Sequence, residues 1–281
     1  DLNGFSDSIG ALTVNSGVTG GAVTTGAGTL TLTGNIASTG GAANASISGN
    51  LAFAATRTIT TTNAADGLTV SAVISGAGGV TKAGAGTVTL SGANTYTGVT
   101  TINAGVLSAN TVATEGAGGG VASSIGASGN AATNLVLGGG TLLYTGATAS
   151  TDRNFTLTAG TTSTVNVATA ASTLTITGAS TNTTGALTKA GTGTLKLSGA
   201  NLYTGLTTIN AGALQYGAAN ALSTGAVTVN DGGTYDLNGF SDSIGALTVN
   251  SGVTGGTVTT GAGTLTLTGN IASTGGAANA S

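Results

Sequence analysis

"GAGTVTLSGANTYTGVTTINAGVL" occupies Gly84–Leu107, and "GTGTLKLSGANLYTGLTTINAGAL" occupies Gly191–Leu214. The frame returns after 107 residues, with exchanges mainly among Val, Leu, Thr and Ala. Within it, "TVTLSG" at Thr87–Gly92 and "TLKLSG" at Thr194–Gly199 alternate an outward polar residue with an inward apolar one. "TLTLTG" at Thr29–Gly34 and "TLTITG" at Thr173–Gly178 do the same. A period of two is the mark of a strand with one buried face. Helical spacing is nowhere sustained, and the density of Gly and Thr disfavours helix.

Taken as one coil, the first stretch reads as three short strands. "GTVTLSG" turns Val88 and Leu90 to one face. "TYTGVTTI" places Thr100 and Ile102 on one side and Val99 and Thr101 on the other, and "GVLSA" gives a third strand. Asn94, Gly98, Asn103 and Gly105, with their counterparts Asn201, Gly205, Asn210 and Gly212, fall at corners, where tight or left-handed backbone costs least. Tyr96 and Tyr203 share one repeat position. A buried ring that closes a corner suits them better than an exposed sugar platform, because Tyr packs its body while its hydroxyl finds a partner.

Coils of roughly 20–25 residues fall in the solenoid range, and one coil cannot bury its apolar face without another stacked on it. The expected fold is therefore all-β, a right-handed parallel β-helix with three short strands per coil.

A longer repeat frames the chain. Asp1–Ser46 recurs as Asp236–Ser281 with a single exchange, Ala22 for Thr257. The expected organisation is one continuous β-helix over 1–281, with 1–235 as a long tandem unit and 236–281 as the start of the next. The helix is expected to run through Tyr235 into Asp236 without a linker.

Composition narrows function. The chain of 281 residues holds 52 Gly, no Pro, Cys, Met, Trp or His, and a net charge of −3. Abundant Thr and Val with so few charges argue for a folded, strand-rich chain. Five Lys and Arg in all are too few for the basic face that nucleic acid needs. No apolar run approaches the ~18 residues of a membrane-spanning helix, so no membrane insertion of this segment is expected. Without His or Cys, the common nucleophile–base pairs and zinc sites are missing.

Carboxylates remain: Asp1, Asp7, Asp66, Glu115, Asp152, Asp231, Asp236 and Asp242. A pair on adjacent coils would suit glycan cleavage. However, Asp1 and Asp7 recur as Asp236 and Asp242 within "DLNGFSD", which reads as turn capping. "NDGGTYD" at Asn230–Asp236 offers oxygens but too few for calcium. No catalytic residue, metal or cofactor is expected. Lys82 and Lys189 correspond and read as isolated exposed charges that keep strands from adding laterally. The T-x-T runs at Thr29–Thr33 and Thr58–Thr62 raise ice binding as a rival reading, although Thr is also a good exposed strand residue.

The frame "GxGTxxLSGANxYTGxTTINAGxL", met at Gly84–Leu107 and Gly191–Leu214, resembles the autotransporter-associated β-strand repeat of bacterial surface proteins. That resemblance implies a right-handed β-helix exported to the cell surface and acting as stalk, adhesin or fibre. The expected partners are the next tandem unit or identical subunits stacked head to tail. Lateral bundling and surface glycans are both left open.

Overall fold

The computed structural model describes residues 1–275 apart from 16 and 42. The expected continuous helix over 1–281 and the last six residues of its second repeat copy, 276–281, thus reach outside the described residues. The chain divides into two compact units, Asp1–Leu143 and Tyr144–Ser281. Each is a parallel β-solenoid, consistent with the right-handed winding that crossover connections between parallel strands adopt. Among the described residues the one helical element is a short 3₁₀ turn, Ala132–Asn134.

In the first unit, Gly67–Val70, Val73–Ser75 and Val80–Ala83 make one coil of three strands. Each pairs in parallel with its counterpart one coil earlier: Ala45 with Leu68, Asn50 with Val73 and Arg57 with Val80. In the second unit, Gly233–Asp236, Asp242–Ile244 and Leu247–Ser251 form another three-strand coil. The strand Gly233–Asp236 carries the backbone through Tyr235 into Asp236, so ordered strand crosses the repeat boundary.

The coil read in detail from sequence differs. Val106–Ala109 pairs with Thr87–Leu90, Thr87 facing Val106, so "GVLSA" opens the next coil rather than closing its own. Only Thr100–Ile102 of "TYTGVTTI" is strand. Between the two, Thr95 and Tyr96 still donate main-chain bonds to Ile74 O (2.8 and 3.1 Å), and Thr97 donates to Gly76 O (3.0 Å). This corner therefore stacks by hydrogen bonds without strand geometry. Alternation along one chain reveals inward residues, but it does not reveal the turn of the solenoid to which a strand belongs.

Inward residues form apolar columns along each unit. Leu68, Val88 and Leu107 stack in one, and Val70, Leu90 and Ala109 in the next. All six are buried. Thr100 and Ile102, which alternation puts on one side of their strand, both face in. Advance per coil runs from 19 residues (Thr87 to Val106) to 25 (Ala149 to Leu174). The exception is the step from Thr100 to Leu135, 35 residues, where the chain makes an excursion beyond Asn110.

Candidate functional site

The repeat corner is built around Asn94 and Asn201. Asn94 Oδ1 accepts from Ile74 N (2.8 Å) and its Nδ2 donates to Ser124 O (2.9 Å). Asn201 Oδ1 accepts from Ser180 N (2.9 Å), and its Nδ2 donates to Gly199 O (3.0 Å) and Ala221 O (2.7 Å). Each amide thus bonds main chain about one coil back and one coil ahead, standing in for the missing strand ladder. Tyr96 and Tyr203 are buried beside them, their hydroxyls 2.8 Å from Thr100 Oγ1 and Thr207 Oγ1. With their rings inside, neither offers a stacking platform. Burial pushes the Tyr203 phenol above its ordinary range.

The glycines complete the corner. Gly105 and Gly212 hold φ of 61° and 62°, the left-handed region that other residues avoid. Gly98 and Gly205 serve close approach instead, since a Cβ on Gly205 would overlap Gly185 O. Asn103 and Asn210 donate their amides to Lys82 O (3.0 Å) and Lys189 O (2.9 Å). Asn210 also begins an amide ladder, in which Asn230 Nδ2 donates to Asn210 Oδ1 and Asn250 Nδ2 to Asn230 Oδ1, both at 2.6 Å.

Lys82 and Lys189 are corrected by the structure. Both are buried, in columns with Ile59 and Ile102 around Lys82 and with Val165 and Ile209 around Lys189. Lys82 Nζ donates to Ala83 O and Gly84 O (both 2.7 Å) and to Ala104 O (3.1 Å). Lys189 Nζ donates to Ala190 O (2.7 Å), Gly191 O (2.8 Å) and Ala211 O (3.0 Å). Each ammonium binds the carbonyls of two successive corners together, and burial lowers both groups to about 8. The signal was in the sequence: two residues after inward Val80 and Leu187, each Lys sits at an inward position. Its charge, taken as a mark of exposure, hid the pattern.

The carboxylates cap turns. Asp1 and Asp236 accept from Asn3 N and Asn238 N, both at 2.8 Å. Asp231 accepts from the Thr254 hydroxyl (2.8 Å) and from the amides of Thr254, Val253 and Gly255 (2.9, 3.1 and 2.6 Å), which together hold its carboxyl below the usual range. Among the described residues no three carboxylates gather where a metal ion could be held. Asp7 and Asp242 are the same repeat position in different surroundings. Asp7 is exposed, whereas Asp242 is buried and accepts from Tyr216 OH and Leu222 N.

On the second unit's outer face, Thr164, Thr188, Thr208, Thr228 and Thr248 stand in one column. The neighbouring column holds Asn210, Asn230 and Asn250, so the motif on this face is T-x-N, with amides already engaged in the ladder. In the T-x-T runs of the first unit, Thr31 pairs with Ser8 and Ala52, and Thr60 with Ala37 and Ala83, so these two runs do not stack into a double row of Thr.

A family model described as the passenger-associated-transport-repeat matches residues 80–109 and 187–215. The chain carries passenger-type repeats. The two matches hold the buried Lys, Asn and Tyr of both corners, so this repeat is the unit whose geometry is described above. Over 79 residues, 28% of the chain, the sequence is 51% identical to the adhesin BmaC autotransporter of Brucella suis biovar 1 (strain 1330). That stretch spans 2% of the adhesin's length. No solved structure matches the chain.

Proposed function

We propose that this passenger-repeat chain is a rod-forming segment of a bacterial surface protein, adhesive and without enzymatic activity, in which 235-residue units stack coil on coil. The observation that carries the stacking is unbroken pairing across the repeat boundary. Gly233–Asp236, which spans it, pairs in parallel with Gly212–Tyr216 of the preceding coil and with Thr257–Thr259 of the following one. Coils of one copy thus stack on coils of the next at the normal spacing, the arrangement a tandem array would repeat. The similarity to a surface adhesin, though it spans a small part of that protein, supports the adhesive, cell-surface half of the reading.

The test is a chain with the 235-residue unit duplicated, unfolded in urea beside the single unit. Stacked units raise both the midpoint and the slope, because nearest-neighbour interfaces add stability and cooperative surface. Two unchanged, independent transitions would sink the rod.

A further inference from the structure

The second unit carries a groove of about 370 Å³ beside the second repeat corner, lined by residues of three successive coils. Asn182, Leu202, Asn220, Leu222, Ser223 and Thr224 define it, and no charged side chain contributes. Its volume lies within the ~300–1,000 Å³ of small-molecule sites. We propose that this groove binds a neutral oligosaccharide, a proposal that deepens the adhesive reading and rests on it.

Three observations point to that chemistry. First, the side-chain amides of Asn182 and Asn220 make no hydrogen bond among the described residues, and both residues are exposed. An amide offers a donor and an acceptor side by side, matching the mixed donor–acceptor character of sugar hydroxyls. Second, Leu202 is 53% exposed between them, at the repeat position held by Thr95 in the first unit. Leu222 beneath it is buried, and an exposed branched apolar side chain among amides suits the C–H face of a pyranose. Third, a charged ligand would enter this lining without a counter-charge, at a desolvation cost nothing offsets.

An extended peptide is the competing occupant, and the backbone argues against it. Strand addition requires a row of unpaired main-chain groups. Here Leu202 N donates to Ser180 Oγ (2.9 Å), Thr204 N to Thr183 O (2.8 Å) and Asn220 N to Ser241 O (3.2 Å). The groove therefore presents side chains. At the corresponding corner of the first unit the excursion beyond Asn110 takes the place of the next coil, with Ser123 bridged to Asn94 and Ala127 N donating to Tyr96 O (2.9 Å).

The experiment follows amide resonances of the ¹⁵N-labelled full chain during titration with maltotriose, cellotriose and triacetylchitotriose. Trigalacturonate and the capped peptide acetyl-TVTVTV-amide serve as controls. The side-chain signals are assigned with Asn182→Ala and Asn220→Gly, the latter keeping the left-handed backbone that Asn220 adopts (φ 55°). The expected result is a saturable shift of both signals with at least one neutral trisaccharide, near the ~1 mM weak end of specific binding. Leu202→Thr, which installs the residue of the first corner, should weaken it roughly tenfold with circular dichroism unchanged.

No saturable shift with any neutral trisaccharide, a shift indifferent to Leu202→Thr, or binding of the peptide alone would each overturn the proposal. Beads coated with the chain separate the two readings. Attachment to epithelial monolayers that survives Leu202→Thr leaves adhesion standing and removes the groove. Failure to attach with trisaccharide binding intact removes adhesion instead.

Discussion

Replacing Lys189 with Met tests whether a buried ammonium holds successive corners together. The change preserves length and apolar stem but deletes three hydrogen bonds, to Ala190 O, Gly191 O and Ala211 O. Hydrogen bonds to a charged group contribute about 1.5–3 kcal/mol each. The ammonium's desolvation, several kcal/mol, offsets part of that sum. A net loss of about 3 kcal/mol at pH 7 follows from these opposing terms, or a melting point lower by roughly 6–12 °C for a domain of this size.

The pH dependence separates the two terms. Burial lowers Lys189 from 10.5 to about 8. As pH rises from 8 towards 10.5 the folded chain has released this proton while the unfolded chain still holds it. The parent fold therefore gains stability across that window, and the gain is absent below pH 8. Lys189→Met removes the gain, so the stability gap between parent and variant widens from pH 7 to pH 10. The buried tyrosines, raised by burial, act alike in both chains and cancel in the difference. Urea unfolding followed by circular dichroism at each pH is the assay. A variant as stable as its parent at pH 7, with a gap that stays flat to pH 10, would refute the reasoning.

Other perturbations address the corner and the stacking. Asn201→Ala removes an amide that serves main chain on both sides, leaving buried groups unpaired at ~1–3 kcal/mol each; the fall in urea midpoint measures it. Gly205→Ala drives a methyl group into Gly185 O, and the coils must part. Its expected signature is a loss of more than about 3 kcal/mol, accompanied by faster amide exchange at Gly185 and Ala186. Ile36→Asp and Ile271→Asp alter the same repeat position, yet only the first buries its new charge. Ile36→Asp should prevent folding of its unit, and Ile271→Asp should leave the melting point within about 2 °C.

Much of this architecture was legible in the sequence because strand alternation is a local property. Val88 and Leu90 share a buried face, and Thr100 and Ile102 share one side of their strand, which the structure turns inward. The repeat position shared by Tyr96 and Tyr203 proved a buried one, in keeping with packing rather than display. At Lys82 and Lys189 two sequence rules conflict: composition places lysine outside, whereas period-two spacing from Val80 and Leu187 points these two inward. Spacing prevailed because the corner carbonyls supply partners that bulk water otherwise would.

By itself the sequence determined that this chain is a stack of short strands with small-residue corners, since alternation and repetition require no knowledge of neighbours. Only the tertiary structure decided which strand belongs to which coil, because parallel pairing joins residues some 19–25 positions apart. It also decided what each repeated residue becomes. Asp7 and Asp242 share their local sequence, yet one is exposed and the other is locked under Tyr216. In a solenoid, burial is conferred by the coils before and after, so identical sequence acquires different chemistry from what is stacked against it.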